Sequence, residues 1–284
     1  MRADRPKNLE ELRAILANAT AATRLIAGGT DLTLHIRSHP EEEMHLLDIS
    51  HLEELRTIRL EGDILEIGAA VTFDDMERSH LVRTWARCLA IASSLVGSPQ
   101  IRNRGTIGGN VANASAAADG VPALCALEAE AVIEDAHGKQ ESLPVEKIIL
   151  GTGKTSVGTN RFIRSFRIPR KQTFWSDFSK VGSRKAVTIS KLNLALAGHL
   201  EEGALKEPRL FVGAVSSTPL RATEAEEILS KNDRSGRSKE DFLDALTAFV
   251  EATIPTRTSM PYKRWAIRGL GDDLWTRLEE VLSR

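Results

Sequence analysis

Two glycine-rich stretches carry the residues best suited to chemistry. Residues 104–119 read Arg-Gly-Thr-Ile-Gly-Gly-Asn-Val-Ala-Asn-Ala-Ser-Ala-Ala-Ala-Asp, with Gly105, Gly108 and Gly109 among small and hydroxyl side chains. Glycine admits positive φ and lets another molecule approach the main chain. Successive exposed N–H groups in such a turn form a concave nest for a phosphate. Thr106, Asn110, Asn113 and Ser115 add side-chain donors within the same reach. The second stretch, Ala27-Gly28-Gly29-Thr30-Asp31, follows the apolar pair Leu25-Ile26 and precedes a helix-like segment. Its N–H groups would stand at a helix start, a second anion site. Two phosphate cradles suit one diphosphate gripped from both sides.

Other constellations carry less. Gly151-Thr-Gly153-Lys154-Thr155 imitates the end of a P-loop, but Ile148 stands where that loop needs its first glycine. His35, His39, His45 and His51 lack the carboxylate spacing of a zinc-hydrolase helix, and Pro40 closes their segment. They read as surface or core residues. Arg161, Arg164, Arg167 and Arg170 form a basic stripe, a solvated face or the rim of a contact with an acidic partner. Trp175 and Phe178 read as core or interface aromatics. No Ser–His–Asp set or carboxylate pair is supported by spacing.

The elements that must hold the two stretches follow from patterning. Asn8 caps a helix carrying Leu9, Leu12, Ile15 and Leu16 at helical spacing, with Glu11 at its third position. A strand over residues 23–27, the Gly28-Gly29 turn, a helix from Asp31 and a buried strand over 46–49 make a small β-α-β unit. Its phosphate loop lies at a strand's end, where open α/β sheets bind ligands. Residues 57–60 and 64–69 flank Glu61-Gly62-Asp63 as a hairpin. Thr72 opens a short helix, and Leu81, Trp85, Leu89, Ala92 and Val96 mark a longer one ending near Gly97-Ser98-Pro99. Beyond the glycine-rich loop, residues 121–129 are helical and 131–134 and 141–145 form strands. Strands over 191–200 and 208–215 follow, then helices over 223–230 and 241–252 separated by a polar linker, and a terminal helix over 265–282. The chain divides into lobes at residues 1–55 and 56–170 and a C-terminal α+β domain at 171–284.

At 284 residues the chain can bury a sizeable core. A net charge of −1 argues against a partner held by phosphate neutralisation. Apolar runs stop well short of a membrane span. No export signal is evident, so the expected location is cytoplasmic. Cys88 and Cys125 are too few for an iron–sulfur cluster, which takes four cysteines.

The pair Ala27-Gly-Gly-Thr-Asp-Leu32 and residues 102–119 resembles the FAD-binding medium subunit of the molybdenum hydroxylases, the xanthine dehydrogenase and carbon monoxide dehydrogenase type. The likeness continues through residues 178–190, 212–226 and 259–270, nearly the whole chain. It implies an α+β fold: a two-lobed FAD-binding domain like that of p-cresol methylhydroxylase and vanillyl-alcohol oxidase, then a C-terminal domain of the carbon monoxide dehydrogenase flavoprotein type. It also implies non-covalent FAD. Leu25, Ile26, Ala27, Gly28, Gly29, Thr30, Asp31 and Leu32 match the family's first FAD segment. Thr106, Ile107, Gly108, Gly109 and Asn110 match its diphosphate segment. Val96 and Ile163 match apolar contacts, Asp119 matches an acidic residue on the cofactor's polar chain or ring edge, and Lys180 matches a basic residue near the ring. Ala116 replaces a proline common in the family, which loosens the loop without removing a ligand.

The resemblance further implies electron transfer within a heterotrimer that can dimerise. A molybdopterin-binding large subunit would hydroxylate a carbon, and a small subunit with 2Fe-2S clusters would deliver electrons to FAD. From FAD they would pass to NAD, a quinone or oxygen. A self-standing FAD-dependent reductase of the same fold is the alternative, and it would need a substrate pocket with its own proton donor. A structural subunit without flavin is a third reading, against which the intact glycines argue.

Overall fold

The computed structural model describes residues 1–40, 43–171, 174–231 and 236–283. Near the start, Asn8 accepts the Glu11 N–H at 2.9 Å and so caps α1 (Leu9–Leu16). The buried face of that helix, Leu9, Leu12 and Leu16, packs on a small parallel sheet. Strands β1 (Arg2–Asp4), β2 (Thr23–Ile26) and β3 (His45–Asp48) make the sheet, with β3 in the middle. The crossover from β2 to β3 carries α2 (Leu32–Ser38), which buries none of its residues. The expected β-α-β unit is present, with β1 added at its edge.

The second lobe is a five-stranded sheet over helices. Its strands are β4 (Ile58–Glu61), β5 (Ile64–Gly68), β6 (Glu130–Asp135) and β7 (Gln140–Pro144). After the small hairpin β8 (Ile149–Gly151) and β9 (Lys154–Thr155) comes β10 (Arg161–Pro169), which sits between β5 and β6 and pairs antiparallel with both. Phe162, Ile163, Phe166 and Ile168 are buried along β10, so the arginine stripe lies on a central strand.

Helices between β5 and β6 fill the space beneath. Thr72 and Asp75 form a reciprocal capping box at α3 (Phe73–Arg78). The expected long helix over Leu81 to Val96 is two helices, α4 (His80–Trp85) and α5 (Arg87–Ser94). Ala86, at φ −143°, leaves the helical region between them. The break exposes first-turn donors of α5, and the Cys88 N–H is taken up by Ser176 Oγ at 3.1 Å. Next come α6 (Pro99–Arg102), α7 (Ile107–Asn113), α8 (Gly120–Ala126) and the short α9 (Val145–Ile148). The glycine-rich stretch expected to be a loop is therefore half helix. Thr106 Oγ1 caps α7 by accepting the Gly109 N–H.

The C-terminal part is the antiparallel sheet β11 (Phe174–Val181), β12 (Leu192–Glu201), β13 (Ala204–Gly213) and β14 (Leu220–Arg221). Strand β12 alternates in residue size. Leu192, Leu194 and Leu196 join the core under α10 (Thr223–Ser230), α11 (Gly236–Thr253) and α12 (Met260–Leu282). Ala195 and Ala197 face the opposite way, into the second lobe's core. One sheet thus closes two cores, its small residues admitting the second lobe. The polar linker expected before α11 falls largely outside the described residues.

Candidate functional site

The two glycine-rich stretches meet. A Cβ on Gly28 would stand 2.0 Å from the Arg104 carbonyl oxygen, so only glycine permits this approach. Together with the start of β10 they enclose a cleft of about 470 Å³. Every residue from 25 to 32 lines it, as do Val96, Thr106, Gly108, Gly109, Asn110 and Ile163.

Backbone donors separate the two stretches. The N–H groups of Gly28, Gly29, Thr30, Asp31 and Leu32 have no acceptor among the described residues. Five consecutive free donors, with Gly29 at φ +71°, form an anion nest at the start of α2. The second stretch is otherwise arranged. Ile107 N–H donates to Val71 O, Gly108 N–H to Ala69 O, Gly109 N–H to Thr106 Oγ1 and Asn110 N–H to Thr106 O. The expectation of a second N–H nest is corrected: the second stretch supplies bare surface, because its donors are spent in docking α7 on the residues before α3 and in capping it on Thr106. Gly108 is glycine for that docking, since a Cβ there would meet Ala69 at 2.6 Å. Gly109 is exposed on the cleft, and a Cβ would meet only Thr106 Oγ1. Asn110 Oδ1 is buried without a partner, facing Gly120.

Three residues proposed from sequence lie off the cleft. Ile107 is buried in the second lobe's core. Asp119 and Lys180 form an ion pair, Lys180 Nζ to Asp119 Oδ2 at 2.6 Å. The other Asp119 oxygen accepts from Ser190 Oγ at 2.5 Å and Asn193 Nδ2 at 2.8 Å. Lys180 also donates to Leu95 O at 3.0 Å and Thr188 O at 3.3 Å. An ammonium has three protons, so Lys180 is saturated by protein acceptors. It stands as a strut beside Leu95 and Val96, held by the buried Asp119 carboxylate.

The arginine stripe finds partners within the chain. Arg161 bonds Glu141, Arg164 bonds Glu134, Arg167 lies 3.6 Å from Glu66, and Arg170 stacks on Trp85. Each is committed within the chain. Sequence reasoning missed the cleft wall formed by Thr155, Val157, Gly158 and Thr159. Its one visible signal was Gly158, at φ +82°. Trp175 and Phe178 are both buried.

A family model described as "FAD binding domain in molybdopterin dehydrogenase" matches residues 1–171, and one described as "CO dehydrogenase flavoprotein C-terminal domain" matches residues 178–278. The chain belongs to this family. It is an FAD-binding medium subunit of the molybdenum hydroxylase type. Among its relatives is the nicotinate dehydrogenase FAD-subunit of Eubacterium barkeri, 32% identical over 284 residues, covering 98% of this chain and 96% of that one. Another is the xanthine dehydrogenase FAD-binding subunit of Escherichia coli O157:H7, 32% identical, covering 72% and 70%. The structure of carbon monoxide dehydrogenase from Hydrogenophaga pseudoflava superposes with a TM-score of 0.85 at 26% identity, covering 98% of each chain. The cleft suits the family's cofactor, with a diphosphate-sized run of free donors at 28–32 and apolar walls at Val96, Phe73 and Ile163. No helix among the described residues is long and apolar enough to cross a membrane.

Proposed function

We propose that this chain carries electrons through one FAD, taking them from an iron–sulfur partner and passing them to an external acceptor such as NAD, a quinone or oxygen. The single observation behind this reading is the run of five acceptor-free N–H groups lining the cleft at Gly28 to Leu32. These groups would hold the diphosphate, and the dipole of α2 would add to their field. FAD, when bound, supplies the change between two-electron and one-electron chemistry, while the protein tunes it. Gly109 would pass the diphosphate on its bare side, with Thr106 and Asn110 beside it. Val96 and Ile163 would exclude water from the apolar part. Asp119 and Lys180 would act from behind that wall, as a paired charge.

The working assembly is a heterotrimer with a molybdopterin-binding large subunit and a small subunit carrying 2Fe-2S clusters, placed in the cytoplasm. Residues 1–55, 56–170 and 171–284 are its three structural units, the first two gripping the cofactor. The test is Gly109→Val in the purified chain. The wild type is expected to release one FAD per chain on acid precipitation. The variant is expected to fold with less than a tenth of that. Stoichiometric FAD in a folded Gly109→Val protein, or FMN in place of FAD in the wild type, would refute the placement.

A further inference from the structure

Five cations without a carboxylate partner among the described residues lie in two stretches that meet on another face. No aspartate or glutamate occurs over residues 178–200, nor over 252–271, yet these two stretches hold four basic residues each. The fold brings them together. Lys191 Nζ sits 5.2 Å from the centre of the Tyr262 ring, and Ser190, Lys191, Ser259, Tyr262 and Lys263 border one shallow basin. Arg184, Lys185, Lys191, Arg257 and Lys263 have no carboxylate within 4 Å among the described residues. Burial and the nearby Arg257 charge hold the Lys263 ammonium below its usual range, so the cations crowd one another.

Within this basic field stand large apolar side chains in water. Trp265 is 76% exposed and Ile189 80% exposed, with Tyr262 and Val187 also open. Trp265 follows Tyr262 by three residues on α12, which places both on one helical face. Ile189 precedes Lys191 by two residues, on the stretch that reaches Tyr262. An exposed indole ringed by charge is a typical anchor of a protein contact.

We propose that this face, centred on Trp265 and Ile189, docks a partner chain of the same assembly, one presenting carboxylates around an apolar recess. Charge complementarity selects that occupant: Arg184, Lys185, Lys191, Arg257 and Lys263, five cations without a carboxylate partner among the described residues, steer an acidic surface and repel another basic one. The face also touches the site described above, because Ser190 borders the basin and donates to Asp119. A partner seated here lies against the network behind Val96. The inference rests on the reading of the chain as one member of a multi-chain assembly.

The experiment uses the assembly purified from its native host and the same assembly carrying Trp265→Ala, or Lys191→Glu with Arg257→Glu. FAD content reports that the chain is folded and loaded. Hydrogen exchange compares the isolated chain with the assembly. Protection of residues 187–191 and 260–266 in the assembly is expected, with at least tenfold weaker association of the variants at full FAD content. The charge-reversed variant is also expected to lose most of the salt dependence of association. Wild-type association by both variants, or unchanged exchange across both segments, overturns the proposal while leaving the electron-transfer reading intact. Wild-type chain that purifies with FAD and alone overturns both. Dimerisation of this chain lost on Trp265→Ala, or binding to phosphatidylserine vesicles lost on the same change, would assign the face to another occupant and overturn it.

Discussion

Lys180 Nζ lies 2.6 Å from Asp119 Oδ2, with 6% and 7% of the two side chains exposed. Removing one member of a buried pair strands the other charge, at a cost of about 3–5 kcal/mol. Lys180→Met is therefore expected to lower the urea midpoint sharply, and Lys180→Met with Asp119→Asn to recover much of the loss. The flavin potential should follow the same pattern. The lone Asp119 charge makes the flavin harder to reduce, and the double variant returns towards wild type. A single variant with wild-type stability and potential would show that the pair is neither buried nor coupled to the cleft.

Gly28 and Gly62 separate two reasons for being glycine. Gly62 sits at φ +58° in an open turn with nothing within 4 Å of a Cβ. Gly62→Ala should cost about 1 kcal/mol through backbone strain alone and keep full FAD. Gly28→Ala drives a methyl into the Arg104 carbonyl and should part the two stretches. FAD should then be lost from a protein that still folds. Equal FAD retention by the two variants, measured by the 450 nm absorbance, would count against the closed junction.

Much of this was legible in the chain. Asn8 and Thr72 announced helix starts because a cap is a local bond between near neighbours. Gly62 announced its hairpin for the same reason. Strand β10 was not legible. Its arginines read as a surface stripe because Glu66 and Glu134, which neutralise two of them, lie far away in sequence. Helix α7 was hidden by Gly108 and Gly109, poor helix formers whose value lies in the approach to Ala69 and in the open cleft. The break at Ala86 was equally hidden, since the hydroxyl that satisfies the broken turn belongs to Ser176.

Glu134 is fully buried between Arg13 of α1 and Arg164 of β10, 2.7 Å from each, and Gln140 adds a third hydrogen bond. It joins the first lobe to the second. Glu134→Ala leaves two facing guanidinium groups and should cost about 3 kcal/mol or more. Arg13→Ala should cost less, because Arg13 is about one-third exposed. Limited proteolysis would register the loosened junction as faster cutting between residues 49 and 57. Equal stability of the two variants would deny Glu134 its joining role.

Both cysteines are buried, and burial raises both thiols, that of Cys88 to about 12. Neither should react with a thiol reagent at pH 8 while the chain is folded. The sign of the stability effect follows. A thiol that ionises near 9 when unfolded and near 12 when folded leaves stability intact below pH 9 and erodes it as pH rises towards 12. Unfolding midpoints at pH 8 and pH 10.5 would reveal the fall. Rapid labelling of Cys88 at pH 8 without unfolding would contradict its burial.

The position of β10 between β5 and β6 has a consequence for synthesis on the ribosome. The hairpins β4–β5 and β6–β7 are complete by residue 144, yet their inner edges are joined only by a strand ending at Pro169. At roughly 5–20 residues per second, the nascent chain carries two open strand edges for at least a second. Unpaired edges are templates for pairing with other chains. The residues that emerge last in this interval, Arg161, Arg164 and Arg167, close the sheet and bring the charges that two waiting carboxylates, Glu66 and Glu134, require. A nascent chain arrested before residue 161 is the form of this protein most in need of a chaperone.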